Sequence, residues 1–156
     1  MIATLPEIVC PTCGIPADAG YFDDSRIADV PPGAAGEIVL AKFELHPNYC
    51  GELQYFAQYT DAYAANPVEV VTPNLEWQIR SDGLPLAPWL TFDRIINPWG
   101  LQGFPIHVRL REGCRLELVV RFTGPAIEIR ATPTPVTRVG GRLLGRFWYN
   151  PAFGGR

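Results

Sequence analysis

The sequence predicts an all-β fold, a two-sheet sandwich of jelly-roll type with an extended N-terminal arm. Three observations carry that expectation. From Gly36 onward apolar residues recur at every second position, the period of a strand with one buried face. Turn-forming Pro, Gly, Asn and Asp interrupt the pattern every few residues. No segment shows the 3.6-residue period of an amphipathic helix. At 156 residues the chain is the length of one domain and buries a core without staples.

The arm is drawn over residues 1–35 and the sandwich over 36–156. Pro6, Pro11, Pro16, Pro31 and Pro32, with Gly14, Gly20 and Gly33, leave residues 1–35 without either period, so an extended segment outside the core is expected there. The first strand follows in 36–45, with Val39, Ala41, Phe43 and Leu45 on one face. His46-Pro47-Asn48-Tyr49-Cys50-Gly51 reads as a turn. In 52–60, Leu53, Tyr55, Ala57 and Tyr59 alternate with Glu52, Gln54, Phe56 and Gln58. Short strands are read at 68–72 and 75–80, with Trp77 among the core positions, then an irregular apolar stretch at 84–96 and a loop at 97–103. The 105–122 stretch reads as a hairpin pairing Leu110 with Leu116, Val108 with Leu118 and Ile106 with Val120 around Glu112-Gly113-Cys114. Its other face sets Arg109 beside Glu117 and Arg111 opposite Arg115, a like-charge pair that an acidic partner would relieve. A strand at 126–131 and a last one near 136–149 follow. In the last, Gly140, Gly141 and Gly145 point to bulges or to close backbone approach.

Charge is divided by position. Residues 1–78 carry eleven acids against Arg26 and Lys42, and residues 79–156 carry eleven arginines against five acids, beneath a net charge of only −3. Arginine accounts for all the basic residues but one and suits interfaces through its planar, weakly hydrated fork. GC-rich coding would produce the same bias. An acidic, proline-rich arm beside an arginine-rich sheet points to docking between copies or onto a neighbour. The candidate interface is therefore Asp18, Asp23, Asp24 and Asp29 from the arm, facing Arg109, Arg111, Arg115, Arg121, Arg142 and Arg146 of another chain, with Trp99 and Trp148 as aromatic contacts.

Other chemistries find less support. Cys10-Pro11-Thr12-Cys13 has the spacing of half a zinc knuckle, and His46 and Cys50 could complete a Cys-Cys-His-Cys site; two unligated thiols in an arm is the plainer alternative. No cofactor is expected. His46 and His107 stand in no recognisable catalytic motif, and there is no Gly-x-Ser-x-Gly elbow or phosphate loop, so the chain is not expected to be an enzyme. The arginines sit in a net acidic chain with few interleaved aromatics, which argues against nucleic acid. The opening residues have neither a basic start nor an apolar run, and no membrane association or secretory signal is expected.

Four stretches carry a resemblance: Gly51-Glu52-Leu53-Gln54-Tyr55-Phe56, Leu75-Glu76-Trp77-Gln78-Ile79, the Asn97-Pro98-Trp99-Gly100 loop, and the run from Gly140 to Asn150. In these the chain resembles small jelly-roll proteins of tailed-phage virions, the class of capsid decoration or cement proteins. The resemblance implies a non-enzymatic subunit on the outer capsid, assembled in the host cytoplasm, forming homo-oligomers, often trimers, and bridging subunits of the major capsid protein of the same virion. It does not extend to the cysteine-bearing arm. The alternative is a carbohydrate- or receptor-binding module using exposed aromatics.

Overall fold

A computed structural model of the chain describes residues 14–30, 36–61, 75–86, 104–122 and 136–150. Its elements are eight strands: β1 (Gly20–Asp29), β2 (Gly36–Glu44), β3 (Tyr49–Thr60), β4 (Leu75–Ser81), β5 (Leu84–Pro85), β6 (Phe104–Leu110), β7 (Arg115–Phe122) and β8 (Arg138–Tyr149). They form two antiparallel sheets, ordered β1-β8-β3-β6 and β2-β7-β4-β5. Successive strands change sheet at every connection except the short β4–β5 hairpin, an order consistent with a jelly roll. The expectation of an all-β sandwich is met. The strands read at 68–72 and 126–131 lie outside the described residues.

The core lies between the sheets, where the apolar face of each strand turns inward. Phe22, Leu53, Phe56, Ile106, Leu110, Val139 and Leu143 from one sheet meet Leu40, Leu75, Trp77, Ile79, Leu116, Leu118 and Val120 from the other. Trp77 is fully buried, as expected, and its indole N–H donates to the Gly140 carbonyl at 3.3 Å.

Three expectations need correction. The arm boundary at residue 35 fails first: Gly20–Asp29 is a strand in register with β8 over ten residue pairs, and it places Phe22 and Val30 in the core. Its period was hidden because β1 is an edge strand. Of its inward-parity positions Asp24 and Arg26 reach the rim of the sandwich, and Asp24 accepts a hydrogen bond from the Lys42 N–H of β2 at 2.7 Å.

The 105–122 hairpin is the second correction. β6 pairs with β3 in one sheet and β7 pairs with β2 and β4 in the other, so Arg111–Cys114 is a crossing loop. The apolar sets on β6 and β7 face each other across the core. Alternation specifies which face of a strand is buried, and a hairpin and a crossing loop bury the same face.

Third, β2 and β3 each carry a bulge, at Leu40 and Gln54, and a single extra residue reverses the parity beyond it. Val39 therefore faces outward and Leu40 inward. On β3, Phe56 turns into the core while Tyr55 turns out to solvent. The glycines of β8 answer to close approach: a Cβ at Gly141 would stand 2.5 Å from Leu118.

The crossing loops are tied together at one end of the sandwich. Leu45 N–H donates to the Cys114 carbonyl at 3.0 Å, and Asn48 N–H to the Glu112 carboxylate at 2.6 Å.

Candidate interaction face

The two outer faces of the sandwich are unlike. On the β2-β7-β4-β5 sheet the outward side chains form ion pairs with one another. Glu37 and Glu76 flank Arg121 in register, and Arg121 lies 3.9 Å from Glu76. Arg80 reaches from β4 across β7 to clasp Glu37 with both terminal nitrogens, at 2.9 and 2.7 Å, while its Nε and Nη2 donate to Gln78. This bridge passes over the Val119 row, and Val119 is wholly buried although it sits on the outer side of β7. The hydrogen bonds from Arg80 hold the Glu37 carboxyl below the ordinary carboxylate range against some desolvation.

The outer face of the β1-β8-β3-β6 sheet is built from arginines and aromatics. One row crosses all four strands: Arg109 on β6, Glu52 on β3, Arg146 on β8 and Tyr21 on β1, in direct register. Glu52 is its centre and is only 6% exposed. Its two oxygens face Arg109 Nε at 3.2 Å and His107 Nδ1 at 3.3 Å. A buried carboxylate needs such partners, because an uncompensated charge beneath a sheet face costs several kcal/mol, about 3–5 where one partner is removed. The arginines in turn cover aromatic rings, Arg109 lying 5.4 Å from the Trp148 centroid and Arg146 4.6 Å from that of Tyr21.

Residues 14–19 close over one end of this row. Arg146 Nη2 donates to the Ala19 carbonyl at 2.8 Å, and a Cβ at Gly14 would lie 3.5 Å from Arg109 Nη2, so the segment runs from above β6 back to β1. Ile15 and Ala19 are buried there while standing outside the core cluster. This part of the expected arm is therefore held by its own chain. The face opens at the β1 end of this row, where Tyr21 is 69% exposed, and beyond the row, where Tyr55 is 43% exposed and Ile27 50%.

The candidate interface residues divide between the two faces. Asp23, Asp29, Arg109, Arg142, Arg146 and Trp148 come together on the β1-β8-β3-β6 face. Asp23 accepts from Arg142 Nε at 2.7 Å, and that hydrogen bond keeps its carboxyl below the ordinary range; Asp29 lies 3.5 Å from Arg138. The expectation that these acids reach arginines of another chain is thus corrected, since both find an arginine directly or diagonally across on β8. Asp18 is exposed in the turn before β1, and Asp24 binds the β2 backbone.

Arg115 and Arg121 belong to the opposite face, and Arg111 lies exposed in the crossing loop. The outward grouping of Arg109, Arg111 and Arg115 does not exist, because it presupposed the hairpin. Arg109 pairs with Glu52 in place of Glu117, whose partner is Arg115. Trp99 lies outside the described residues. Trp148 is half-buried beneath Arg109 and offers no open stacking platform.

Sequence reasoning missed Tyr21, Ile27, Tyr55 and Glu52 as parts of this face. Consecutive apolar residues, Tyr55-Phe56 in β3 and Ile38-Val39-Leu40-Ala41 in β2, were the available sign of a bulge.

The zinc spacing is not assembled among the described residues. Cys10 and Cys13 fall outside them, His46 is exposed after β2, and no three His, Cys, Asp or Glu side chains converge as metal ligands within them. On the Glu52 face, Cys50 shares a row with Trp148, on the far side of the Glu52 row from His107, so the register forms no thiol–imidazole pair. Among the described residues no helix is long and apolar enough to cross a membrane.

No family model matches the chain, and no curated protein matches it. Among solved structures it is similar to dimeric latent PorU from Porphyromonas gingivalis, at 10% identity and a TM-score of 0.30, over 92% of this chain and 14% of that one.

Proposed function

We propose that this protein is a non-enzymatic assembly subunit, a capsid decoration or cement protein that self-associates and lies on the major capsid protein of its virion through the outer face of the β1-β8-β3-β6 sheet. The observation that carries the reading is the inequality of the two outer faces. One is crossed by ion pairs that bury Val119 and, of its outward apolar side chains, exposes Val39 on the β2 edge. The other offers Tyr21, Ile27 and Tyr55 to solvent beside Arg142 and Arg146. Tyr and Arg are the residue types enriched at the buried centres of interfaces, where a large ring or a planar fork supplies contact area at low entropic cost. The resemblance to decoration proteins supplies the partner and the location.

Co-sedimentation of the purified full-length chain with empty capsids tests the reading. Binding is expected, and replacing Tyr21 and Tyr55 together by Ser should weaken it at least about tenfold, the effect of losing one interface hot spot. Glu76→Gln on the opposite face should leave it unchanged. Absence of binding, or equal loss in both variants with folding intact, overturns the proposal. So does retention on immobilised polysaccharide in place of capsids, which would assign the chain to the carbohydrate-binding class.

A further inference from the structure

Among the described residues the sandwich has four sheet edges, and they are not equally protected. A strand edge presents unpaired N–H and C=O groups to any chain that can add a strand, and proteins blunt such edges with bulges, prolines, shortness or covering side chains. β2 carries a bulge and has its Lys42 N–H covered by Asp24. β5 is two residues long. β6 contains Pro105 and meets its neighbour at a bulge. β1 has none of these: it has ten residues, no proline and an unbroken register with β8, and what protects it is the inward-side charge of Asp24 and Arg26, which deters any added strand except one that sets each against its opposite.

We propose that β1 is the site of self-association, pairing antiparallel with β1 of a second copy so that two four-stranded sheets become one of eight. The interface rests on the assembly reading above for its purpose, but its geometry follows from the strand alone. A two-fold axis between antiparallel edge strands runs normal to the sheet and keeps outward residues opposite outward residues, so the register must be centred on a residue. Centring on Asp24 opposes Asp24 to itself, and centring on Arg26 opposes Arg26 to itself. Centring on Ser25 sets Asp24 against Arg26 of the second copy, and by symmetry does so twice.

The groups are free to meet. Arg26 is exposed and, among the described residues, pairs with no acid; Asp24 uses one oxygen on Lys42 N–H and leaves Oδ1 available. Both line an open cleft of about 340 Å³ between β1 and β2, where the guanidinium of the second copy enters. The same register puts Phe22 opposite Ala28 and Tyr21 opposite Asp29 on their respective faces.

Analytical ultracentrifugation and cysteine crosslinking of the full chain, both without capsids, test the proposal. The wild type sediments as a dimer. Arg26→Glu raises the dimer dissociation constant about tenfold or more, since it converts two attractive cross-strand pairs into repulsive ones. Mixing Arg26→Glu with Asp24→Lys restores a heterodimer that neither forms alone, with circular dichroism verifying that each variant is folded. Ser25→Cys gives a covalent dimer on mild oxidation, because residues facing each other on the dyad are within disulfide reach; Asp23→Cys, four positions out of register with itself, does not. A monomeric wild type, or a dimer indifferent to Arg26→Glu and crosslinked equally from both positions, overturns the proposal. Capsid binding by such a protein would leave the assembly reading standing, so the two fail separately.

Discussion

At Gly145 there is no room for a methyl group. A Cβ would lie 2.2 Å from the Glu52 carbonyl oxygen and 2.5 Å from the Phe22 ring, so the first obstacle is backbone and cannot rotate away. This one position lets β8 approach β3 while Phe22 of β1 covers it, and it thereby supports the strand that carries Glu52. Gly113 contrasts with it: its φ is +64° in the crossing loop, with nothing near a built Cβ. Gly145→Ala should lower the unfolding free energy by about 2–3 kcal/mol through overpacking. Gly113→Ala should cost about 1–2 kcal/mol, for left-handed backbone strain alone. Urea titration of both variants gives the comparison, and a Gly145→Ala protein no less stable than Gly113→Ala would disprove the close approach.

At the scale of elements, alternation made the inward faces of β4, β6 and β7 legible, and with them Trp77 and much of the core. What alternation does not encode is the neighbour, which is why β6 and β7 read as a hairpin and Arg109 was given Glu117 in place of Glu52. The bulges at Leu40 and Gln54 act over one residue yet redirect every side chain after them, so the alternation read at 52–60 does not put Tyr55 on the opposite face from Leu53, where it lies. The ends of strands are joined by groups no periodicity reveals. Asp61, at the end of β3, accepts from the N–H groups of Thr137 and Arg138 at the start of β8, at 3.0 and 3.1 Å, and from the Thr137 hydroxyl. Partial burial pushes its pKa up, but the hydrogen bonds outweigh this and hold it below the ordinary carboxylate range. A carboxylate depressed in the folded state contributes stability that is complete above the ordinary pKa and is lost as pH falls through the folded one. The urea midpoint should therefore drop between pH 5 and pH 2. In Asp61→Asn, which does not titrate, the midpoint at pH 7 should be lower and the acid-induced drop smaller; an unchanged pH dependence would show that the β3–β8 clasp is not ionic.

For the whole molecule, the division of charge along the chain acquires a physical reason in the topology. β1 pairs with β8, β2 with β7, β3 with β6 and β8, and β4 with β7, so the ladders join first-half strands to second-half strands. Acids early and arginines late therefore meet within one chain, as in Asp23 with Arg142, Glu52 with Arg109, Glu76 with Arg121 and Glu37 with Arg80. Exposed pairs of this kind add little stability each, but together they favour one register over its neighbours. The same topology assigns β1 to the folded body. Removing residues 1–34 takes away Phe22 and Val30 and bares the flank of β8, whose neighbour β1 is in all ten register pairs. Loss of a buried Phe alone costs about 3–5 kcal/mol, against a total stability of about 5–15 kcal/mol for a domain. Residues 35–156 should accordingly lack dispersed amide resonances and a cooperative thermal transition, and adding a synthetic peptide spanning 14–34 should restore both by completing the sheet. A truncated chain that folds cooperatively without the peptide would return β1 to the status of an appendage, and would remove the rigid edge on which pairing between copies depends.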